Sequence, residues 1–569
     1  MDSTLTASER RERMAARYPA WVPRTISGQL DAAAEERPDA PLIITDERTY
    51  SYREVKEWSE RLAAGLVELG VKPGDHVAMV MANYPEFIAA KFAIARAGAV
   101  TIPVNFLFRE HELEYVLRQS DARLLITMNR FRGLEYLKGM DSFIPGWETQ
   151  GGGENLPLLR HVVVLSTDGE QRAGARTFAE LESSAPPPVV AGDPLGMSDI
   201  LYTSGTTGLP KGVIFTHDRV LRVAYGSAYQ RALPEGQRML FSLPMYHVFG
   251  YVECLMATLF AGGAVLPQVQ FDVEPTLDAI ARYQVDELVC VPVMTQALLP
   301  VASQGGYDLS SLRCVFSSGG AVPESIWSAI REVFGPQEIT TGYGQTETTA
   351  ATTCVMPEDP PERLLDSHGC YRQAGIAGDP DLGGFLAIYT TVDPETEADL
   401  PPGTAGHLLV RGPMVTPGYY NKPDETAAAF TADGWLRSGD IGTVNERGYL
   451  RLTGRIKETY RCGGEMVMPA EVENVLSLHD GVRQALVVGV PNERMGEAGC
   501  ALIVPVDPDS LPDPQELLDL CTQRLARFKV PRHVLFIEEQ DIPLTATGRP
   551  QKFKLTELAK ERLALGAPS

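Results

Sequence analysis

The segment Tyr202-Thr203-Ser204-Gly205-Thr206-Thr207-Gly208-Leu209-Pro210-Lys211-Gly212 decides how the rest of the chain is interpreted. Apolar residues typical of strands flank it, at 200–201 and at 213–215. Its glycines let main-chain N–H groups approach an anion closely, its hydroxyls can donate to phosphate oxygens, and Lys211 adds positive charge. It is not a Walker loop, because Lys211 is followed by Gly212 and an apolar run instead of Ser or Thr opening a helix. The segment therefore predicts a polyphosphate-binding loop between two strands, rather than a flexible surface turn.

Composition limits the class of protein. The chain has 569 residues, 44% hydrophobic and 22% charged, which is typical of a globular protein with two or three cores. Its net charge of −23 argues against nucleic-acid binding as the main task.

The eight cysteines form no Cys-x-x-Cys pair and no zinc-like spacing, which predicts a reducing, cytoplasmic location. Residues 1–17 have no signal core, and the most apolar run, 254–266, is too short to span a bilayer and predicts a buried helix and strand. We expect no membrane partner, and a monomer or homodimer.

Strand-like and helix-like segments alternate along most of the chain. A strand pair at 42–44 and 49–51, a helix over 52–69, a strand over 76–81, a helix over 86–97 and a strand over 100–104 begin an alternation that continues to about residue 340. This favours parallel βαβ layering. Residues 145–157 are expected to be a loop. After about residue 400 the chain turns to short strands, and a new alternation follows Gly454, with helices over 469–477 and 514–527 and strands over 482–490 and 501–506. We predict an N-terminal domain of residues 1–453, a hinge at 454–457 and a C-terminal domain of residues 458–569.

Further segments carry polar groups in a fixed order. Ser317-Ser318-Gly319-Gly320-Ala321 would let a flat ring lie on the main chain. Thr340-Thr341-Gly342-Tyr343-Gly344-Gln345-Thr346-Glu347 offers a ring to stack on a base, a hydroxyl for a phosphate and, at Glu347, a carboxylate ligand for Mg²⁺. Gly434-Trp435-Leu436-Arg437-Ser438-Gly439-Asp440 places at a strand end a carboxylate that can accept from both hydroxyls of a ribose. The segments Gly454-Arg455-Ile456-Lys457-Glu458 and Gly463-Gly464-Glu465 follow.

In this order the motifs resemble those of the adenylate-forming superfamily, which comprises acyl- and aryl-CoA synthetases, amino-acid adenylation domains and luciferases. The resemblance extends over nearly the whole chain. It implies an α/β fold with a large N-terminal αβαβα domain, a small mobile C-terminal α/β lid domain and an active site at their junction. It further implies an AMP-forming ligase, closest to the acid–CoA ligases, that uses ATP and Mg²⁺ on a small-molecule acid and hands the product to CoA.

The resemblance also assigns roles to single residues. The lysine at 457 would lie at the pivot, where many members carry Asp, and the loop with Gly463 and Gly464 would line a pantetheine tunnel. Catalytic roles are implied for Thr206, Lys211, His247, Glu347, Lys457 and Arg549. Nucleotide contacts are implied for Thr203, Ser204, Gly205, Thr206, Thr207, Gly208, Lys211, Gly319, Gly320, Ala321, Gly342, Tyr343, Gly344, Gln345, Thr346, Asp440 and Arg455.

The sequence departs from the family pattern at one informative position. In Leu544-Thr545-Ala546-Thr547-Gly548-Arg549, the residue after the glycine is Arg549, where the family has its adenylation lysine. Arginine keeps the charge but is bulkier, planar and forked, so that charge on the reacting phosphate is stabilised with a different geometry. Three interpretations stay open: Arg549 acts with altered geometry, a neighbour such as Lys552 or Lys554 replaces the lysine, or the enzyme is altered or specialised, for example by a lysine-to-arginine exchange.

The expected acid pocket begins at Pro244-Met245-Tyr246-His247-Val248-Phe249-Gly250, which resembles the segment that gates the acid site in the family. The predicted pocket residues are Tyr246, His247, Phe249, Glu253, Gly320 and Gly344, with His247 near the substrate carboxylate. Glu253 follows Phe249 by four residues on an apolar helix, and a buried carboxylate is costly unless it is paired. Two interpretations are open: Glu253 meets an amine or hydroxyl of the substrate, or it has a partner elsewhere in the protein.

The resemblance implies a reaction in two steps at one site. A carboxylate displaces pyrophosphate from MgATP to form an acyl-adenylate, and CoA, the first-choice acceptor, then displaces AMP. One alternative replaces the thiol by an amine, which gives an amide, or activates nitrite and couples it to an amine, which gives a nitrogen–nitrogen bond. Another alternative is a nucleotide-binding protein that has lost catalysis because of Arg549.

Overall fold

Two large, mainly parallel sheets form the body of the N-terminal part of the protein. The computed structural model describes residues 5–188, 190, 192–203, 209–319, 324–463, 465–545 and 550–565. Within these ranges, each of the two sheets has seven strands. The alternation of strands and helices predicted up to residue 340 is confirmed by the parallel pairing, and a single antiparallel strand pair lies at one edge of each sheet.

In each large sheet, strands from distant parts of the chain lie side by side in the following spatial order. The first sheet contains Glu338–Thr340, Cys314–Ser317, Glu287–Cys290, Arg238–Phe241, Ala264–Pro267, Pro41–Ile44 and Thr49–Ser51. The second contains Lys211–Thr216, Met197–Thr203, Val100–Val104, His76–Val80, Ala122–Met128, His161–Leu165 and Arg176–Thr177. Smaller antiparallel sheets consist of Gly342–Gln345, Ala350–Cys354 and Cys370–Tyr371; of Ile388–Val392, Gly406–Arg411, Leu436–Val444 and Leu450–Arg455; and of Arg130–Phe131 with Leu134–Glu135. The C-terminal sheet contains Glu465–Val467, Tyr460–Cys462, Gly496–Pro505 and Val482–Asn492, and His533–Phe536 pairs with its long strand Gly496–Pro505.

Helices cover the sheets and connect their strands. The α-helices are Ala7–Arg17, Ile26–Glu36, Tyr52–Glu68, Pro85–Arg96, Glu110–Gln119, Tyr136–Phe143, Trp147–Gln150, His217–Gln230, Ala257–Ala261, Val273–Tyr283, Pro292–Ala302, Glu324–Ala329, Arg363–Asp366, Pro423–Ala429, Pro469–Leu476, Pro514–Arg524 and Lys552–Leu565. Two π-helices, Phe249–Met256 and Ile330–Phe334, and several short 3₁₀ turns complete the described elements.

Local sequence explains where the predicted helices begin. The helix Tyr52–Glu68 starts at a capping box, in which Ser51 Oγ accepts from the Glu54 main-chain N–H at 3.2 Å and the Glu54 carboxylate accepts from the Ser51 N–H at 2.8 Å. The helix Pro85–Arg96 starts at a proline, whose fixed φ suits the first helical position. Both predictions are confirmed to within one or two residues.

Two local predictions are corrected by the structure. Residues 145–157 are not all loop, because Trp147–Gln150 forms one helical turn and buries the Trp147 side chain. Asp440 does not end a strand but lies inside Leu436–Val444. In both cases a glycine-rich context suggested a turn, and burial of the segment against neighbouring elements was decisive.

The N-terminal and C-terminal parts of the chain have separate apolar cores. Two apolar clusters among the described residues draw on residues up to Leu452, and two others draw on residues from Tyr460 onward. Within the described residues, no helix is both long enough and apolar enough to cross a membrane.

Candidate active site

A two-stranded hairpin holds the predicted phosphate loop. The strands Met197–Thr203 and Lys211–Thr216 pair antiparallel, with Thr203 opposite Lys211 as the last pair. The loop end of the hairpin is held from outside, since the Tyr420 N–H donates to the Gly212 carbonyl at 2.8 Å. The predicted residues Ser204, Gly205, Thr206, Thr207 and Gly208, between these strands, lie outside the described residues. The hairpin therefore sets the position of Lys211 at the start of the second strand.

A tyrosine links Lys211 to the predicted metal ligand. The Tyr419 hydroxyl donates to Glu347 Oε1 at 3.0 Å, and Lys211 Nζ lies 4.8 Å from the centroid of the Tyr419 ring. Glu347 sits in the 3₁₀ turn Thr346–Thr348, and its carbonyl accepts from the Thr416 N–H at 2.8 Å. Burial raises the pKa of Glu347, while the Tyr419 hydroxyl, Arg455 and Lys211 act in the opposite direction. Glu347 is thus a partly desolvated carboxylate surrounded by cations.

The donor set around Glu347 fits a magnesium ion that arrives with a phosphate ligand. Among the residues that the structure describes, no group of three or more His, Cys, Asp or Glu side chains could hold a metal ion. Mg²⁺ is commonly bound through one or two carboxylates, with water and substrate phosphates completing its octahedral shell. A single carboxylate at Glu347 suits this mode and does not suit a metal site built from protein groups alone.

Tyr343, Asp440 and Arg455 form a second connected group. The Tyr343 hydroxyl donates to Asp440 Oδ2, and Arg455 Nε lies 2.8 Å from Asp440 Oδ1. Asp440 and Arg455 are opposite each other in paired strands, and Asp440 is only 2% exposed. Burial and the adjacent carboxylate raise the pKa of Tyr343. The structure thus brings together three residues from separate motifs, each of which was assigned to the nucleotide.

The short strand that carries Tyr343 requires glycine on each side of it. A Cβ at Gly344 would lie 2.0 Å from the Ala350 carbonyl oxygen, and a Cβ at Gly342 would lie 2.4 Å from that of Thr353. Both oxygens belong to the neighbouring strand Ala350–Cys354. Because neither contact can relax by a side-chain movement, these glycines permit the close pairing that presents Tyr343 and the following turn.

Three cations converge near the two carboxylates. Lys457 lies in the turn Ile456–Glu458, directly after the strand that ends at Arg455. Burial lowers the pKa of Lys457, and the charges of Lys211 and Arg455 lower it further. Lys457 thus adds positive charge near Lys211 and Arg455.

Two predicted residues of the acid pocket, Tyr246 and Phe249, pack on other aromatic rings. Phe249 begins the π-helix Phe249–Met256, and its ring meets that of Phe316 edge to face, with centroids 5.3 Å apart. Gly319 has φ +92°, and a Cβ there would lie 3.4 Å from Val291 Cγ1 and 3.9 Å from the Phe249 ring. Tyr246 is buried and packs edge to face on Phe106, with centroids 5.0 Å apart.

His247 is uncharged near neutral pH. Its Nδ1 accepts from the Phe249 N–H at 3.3 Å, and burial lowers its pKa to about 4. Because Nδ1 acts as the acceptor, the neutral ring carries its proton on Nε2. His247 therefore offers one N–H donor beside the segment that begins at Phe249.

The structure corrects the expectation that Glu253 meets the substrate. Glu253 is 1% exposed, and Arg372 Nη2 lies 2.9 Å from its Oε1. The Ala351 N–H donates to the same oxygen at 2.9 Å, and the Ser227 hydroxyl donates to Oε2 at 2.5 Å. Its oxygens are thus engaged by protein groups, as in the second interpretation, a partner elsewhere in the protein.

Arg549, which stands where the family pattern has lysine, lies outside the described residues, and so do Gly320, Ala321 and Gly464. The two neighbouring lysines are described. Lys552 Nζ lies 2.7 Å from Glu473 Oε1 and 3.6 Å from Glu458 Oε2, so its ammonium is held by carboxylates of the C-terminal part. Lys554 is exposed on the helix Lys552–Leu565.

Tyr419, which joins Lys211 and Glu347, was not predicted from the sequence. The local signal, an aromatic pair after Pro417-Gly418, has no chemical meaning by itself. Only the bridge between Val213 and Tyr419 reveals the role of this residue, because it sets the tyrosine beside the hairpin. Gln345 ends the strand Gly342–Gln345, and Thr346 begins the turn that carries Glu347.

Comparisons with known proteins agree with this geometry. The family model of AMP-binding enzymes matches residues 30–420, and that of the AMP-binding enzyme C-terminal domain matches residues 471–549. The 3-[(3aS,4S,7aS)-7a-methyl-1,5-dioxo-octahydro-1H-inden-4-yl]propanoyl:CoA ligase of Mycobacterium tuberculosis is 34% identical over 539 residues, which cover 94% of this chain and 99% of the relative.

Solved structures extend the likeness to three dimensions. The anthranilate CoA ligase AuaEII in complex with anthranoyl-AMP is 26% identical with a TM-score of 0.82, over 98% of this chain and 100% of that chain. The amide bond synthetase McbA from Marinactinospora thermotolerans is 26% identical with a TM-score of 0.79, over 94% of this chain and 99% of that chain. These matches confirm the predicted α/β fold with its two-part organisation, and with them the chain is shown to belong to the AMP-binding enzymes, as an AMP-forming ligase of the acid–CoA ligase family.

Proposed function

We propose that the protein activates a monocarboxylic acid with an apolar or aromatic tail as its acyl-adenylate and transfers the acyl group to CoA. The observation that carries the proposal is the meeting of two hydrogen-bonded pairs, Tyr343 with Asp440 and Tyr419 with Glu347, beside Lys211. A ribose acceptor, a magnesium ligand and a phosphate cation in one place are what an adenylating site requires.

In the first step, a carboxylate oxygen of the acid attacks the α-phosphorus of ATP in line, the bond to the bridging oxygen of the β-phosphate breaks, and pyrophosphate leaves. Asp440 accepts from the ribose hydroxyls, which replace the hydrogen bond it receives from Tyr343 in the free protein. Tyr343 stacks on the adenine, and Thr206 and Thr346 donate to phosphate oxygens. Lys211, Arg455 and Arg549 offset the negative charge on the reacting phosphate. Glu347 would hold a Mg²⁺ ion, which would supply further charge neutralisation at the phosphates.

The aromatic packing at Phe249 supports the choice of an apolar acid. Phe249, which is partly exposed and packs on the buried Phe316, offers a ring or an alkyl chain a surface without charge. Glu253, on the same helix, is paired with Arg372 inside the protein, so an amine or hydroxyl on the acid finds no available carboxylate at that position. The neutral His247 donates to the substrate carboxylate and orients it without the tight hold of an ion pair.

In the second step, the CoA thiol loses its proton to solvent and its sulfur attacks the acyl carbon. The thioester forms, and AMP leaves with the electron pair of the broken acyl–phosphate bond. We propose that the C-terminal domain, 458–569, turns about the hinge at 454–457 between the steps, with Lys457 at the pivot and the loop at Gly463 and Gly464 beside the pantetheine arm. A cytoplasmic location and a monomeric or dimeric state stay predictions.

The likeness to an amide bond synthetase favours one alternative, in which an amine replaces the thiol. Adenylation is common to both candidates, so the deciding measurement is made in two parts. Release of pyrophosphate from MgATP is measured with a panel of benzoate-type, medium-chain and dicarboxylic acids, with Lys211→Gln as the impaired variant and Lys138→Gln, an exposed position, as the matched control.

Mass spectrometry after adding CoA or an amine then identifies the acceptor. An acyl-thioester supports the proposal, and an amide formed in its place assigns the amine alternative. If no acid in the panel releases pyrophosphate while AMP still binds, the protein is a nucleotide-binding protein that has lost catalysis, and the proposal is wrong.

A further inference from the structure

Four charged side chains form a buried cluster within the N-terminal part of the protein: Arg231, Glu253, Glu287 and Arg372. Each is at most 2% exposed, and the two arginines balance the two carboxylates. Charges taken out of water are costly unless they are paired and hydrogen-bonded, and well-packed apolar residues would often be as stable in their place. A purely stabilising role therefore does not explain why four charges are buried here.

Glu253 is the member that connects separate parts of the active site. Arg372 engages it through both terminal nitrogens, with Nη2 at 2.9 Å from Oε1 and Nη1 at 3.4 Å from Oε2. Oε1 also accepts from the Ala351 N–H at 2.9 Å. Ala351 lies opposite Gly344 in the strand that backs the nucleotide motif with Tyr343.

The same residue belongs to the wall of the acid pocket. Glu253 lies one helical turn after Phe249 on the π-helix Phe249–Met256. Arg231 Nη1 donates to the Glu253 main-chain carbonyl at 3.0 Å, and Arg231 Cζ lies 4.7 Å from the centroid of the Phe316 ring, which meets Phe249. A π-helical segment is less favourable than an α-helix and is frequent at functional sites. Here two buried arginines and one carboxylate hold such a segment.

We infer that Glu253 is a positioning residue, which sets the distance between the helix that holds the acid and the strand that holds the nucleotide. The inference rests on the proposed function, since in-line attack requires the acid carboxylate and the α-phosphate to be placed together. Small displacements from a productive geometry lose large factors in rate. Glu253 touches neither substrate; it acts through Ala351 on one side and through Phe249 on the other.

The test compares Glu253→Gln with Glu287→Gln. Glu287 is equally buried and pairs with the same Arg231, whose Nη2 lies 3.1 Å from its Oε2, but the described contacts of its carboxylate, with Arg231 and Gln237, do not reach the π-helix or the nucleotide strand. Glu253→Gln is expected to lower kcat/KM for the acid about tenfold or more, with the Kd for AMP unchanged within about twofold. Glu287→Gln is expected to lower the Tm to a similar extent and to leave kcat/KM within about twofold. Equal kinetic losses in the two variants would overturn the inference.

A second readout does not depend on activity. In Glu253→Gln, amide hydrogen exchange is expected to rise in peptides that cover residues 249–256 and 350–354, and in Glu287→Gln it is expected to stay as in the wild type. If the wild type adenylates no acid, the proposed function fails, while the exchange data still decide whether Glu253 ties the two segments. Unchanged exchange at 350–354 would show that it does not.

A milder variant covers the case in which Glu253→Gln does not fold. Ser227→Ala removes only the hydroxyl that donates to Oε2 and leaves the ion pair with Arg372. It is expected to lower kcat/KM for the acid about threefold and to raise exchange over 249–256. Wild-type kinetics together with wild-type exchange in this variant would count against the positioning role.

Discussion

Replacing Asp440 with Asn tests the proposed ribose contact. Asp440 is 2% exposed and held in place by the Tyr343 hydroxyl and by Arg455 Nε at 2.8 Å, so the substitution keeps the shape of the side chain and removes its charge. Hydrogen bonds to a charged group contribute about 1.5–3 kcal/mol, against about 0.5–1.5 for neutral pairs. Two ribose hydroxyls donating to a neutral amide oxygen instead of a carboxylate lose about 2 kcal/mol together, which is about thirtyfold in nucleotide affinity.

The assay combines the substitution in the protein with removal of a ribose hydroxyl from the nucleotide, as the two changes of a double-mutant cycle. The KM values for ATP, 2′-deoxy-ATP and 3′-deoxy-ATP in pyrophosphate release, and the Kd for AMP by calorimetry, are measured for the wild type and for Asp440→Asn. The wild type is expected to discriminate against the deoxy analogues about tenfold, and Asp440→Asn is expected to have lost most of this discrimination. Tyr343→Phe serves as control, since it keeps the stacking ring and removes only the hydroxyl that donates to Asp440.

One result would refute the reasoning. If Asp440→Asn weakens ATP and both deoxy analogues by the same factor, the carboxylate does not contact the ribose, and its role is confined to holding Arg455 and Tyr343. Arg455 is 32% exposed, so solvent compensates part of its lost partner, and the protein is expected to remain folded in this variant.

Three further predictions concern the metal, the departure at Arg549 and the effect of acid. Glu347→Gln is expected to raise the Mg²⁺ concentration for half-maximal pyrophosphate release about tenfold, because the charged ligand is lost; an unchanged magnesium dependence would exclude Glu347 as the ligand. Arg549→Lys introduces the compact ammonium of the family pattern and is expected to speed single-turnover adenylation about tenfold; a slower rate would show that the site is adapted to arginine. His217 is 5% exposed and its pKa is lowered to about 4, mainly by burial, so its contribution to stability is complete above pH 6.5 and lost as the pH falls toward 4. This costs about 3 kcal/mol in the free energy of unfolding, and His217→Asn is expected to flatten the decline in denaturant titrations between pH 6.5 and 4; an equal slope would contradict the assignment.

Local patterns predicted the parts of the site that depend on neighbours in sequence. The hairpin that ends in Thr203 and Lys211 pairs strands only a few residues apart, so strand-like flanks and a glycine-rich centre suffice to predict it. The turn that presents Glu347 follows from the glycines around Tyr343, which permit one specific close strand pairing. The chemistry of these side chains is a property of the residues themselves.

Contacts between distant segments were not predictable in the same way. Glu253 meets Ala351 and Arg372, 98 and 119 residues away, and a helical period indicates only that it lies on the same face as Phe249. Tyr419 reaches Glu347 across 72 residues, through a single bridge beside the hairpin. A carboxylate on an apolar helix is equally compatible with a substrate partner and with an internal one until the packing of other elements is known.

The sequence by itself therefore determined the family, the α/β layering and the kinds of group that gather around a nucleotide, because motif spacing and side-chain chemistry are written along the chain. Only the tertiary structure decided that the carboxylate of Glu253 is paired inside the protein. That pairing depends on strand register and helix packing between segments a hundred residues apart, where burial makes an unpaired charge costly and a paired one tolerable.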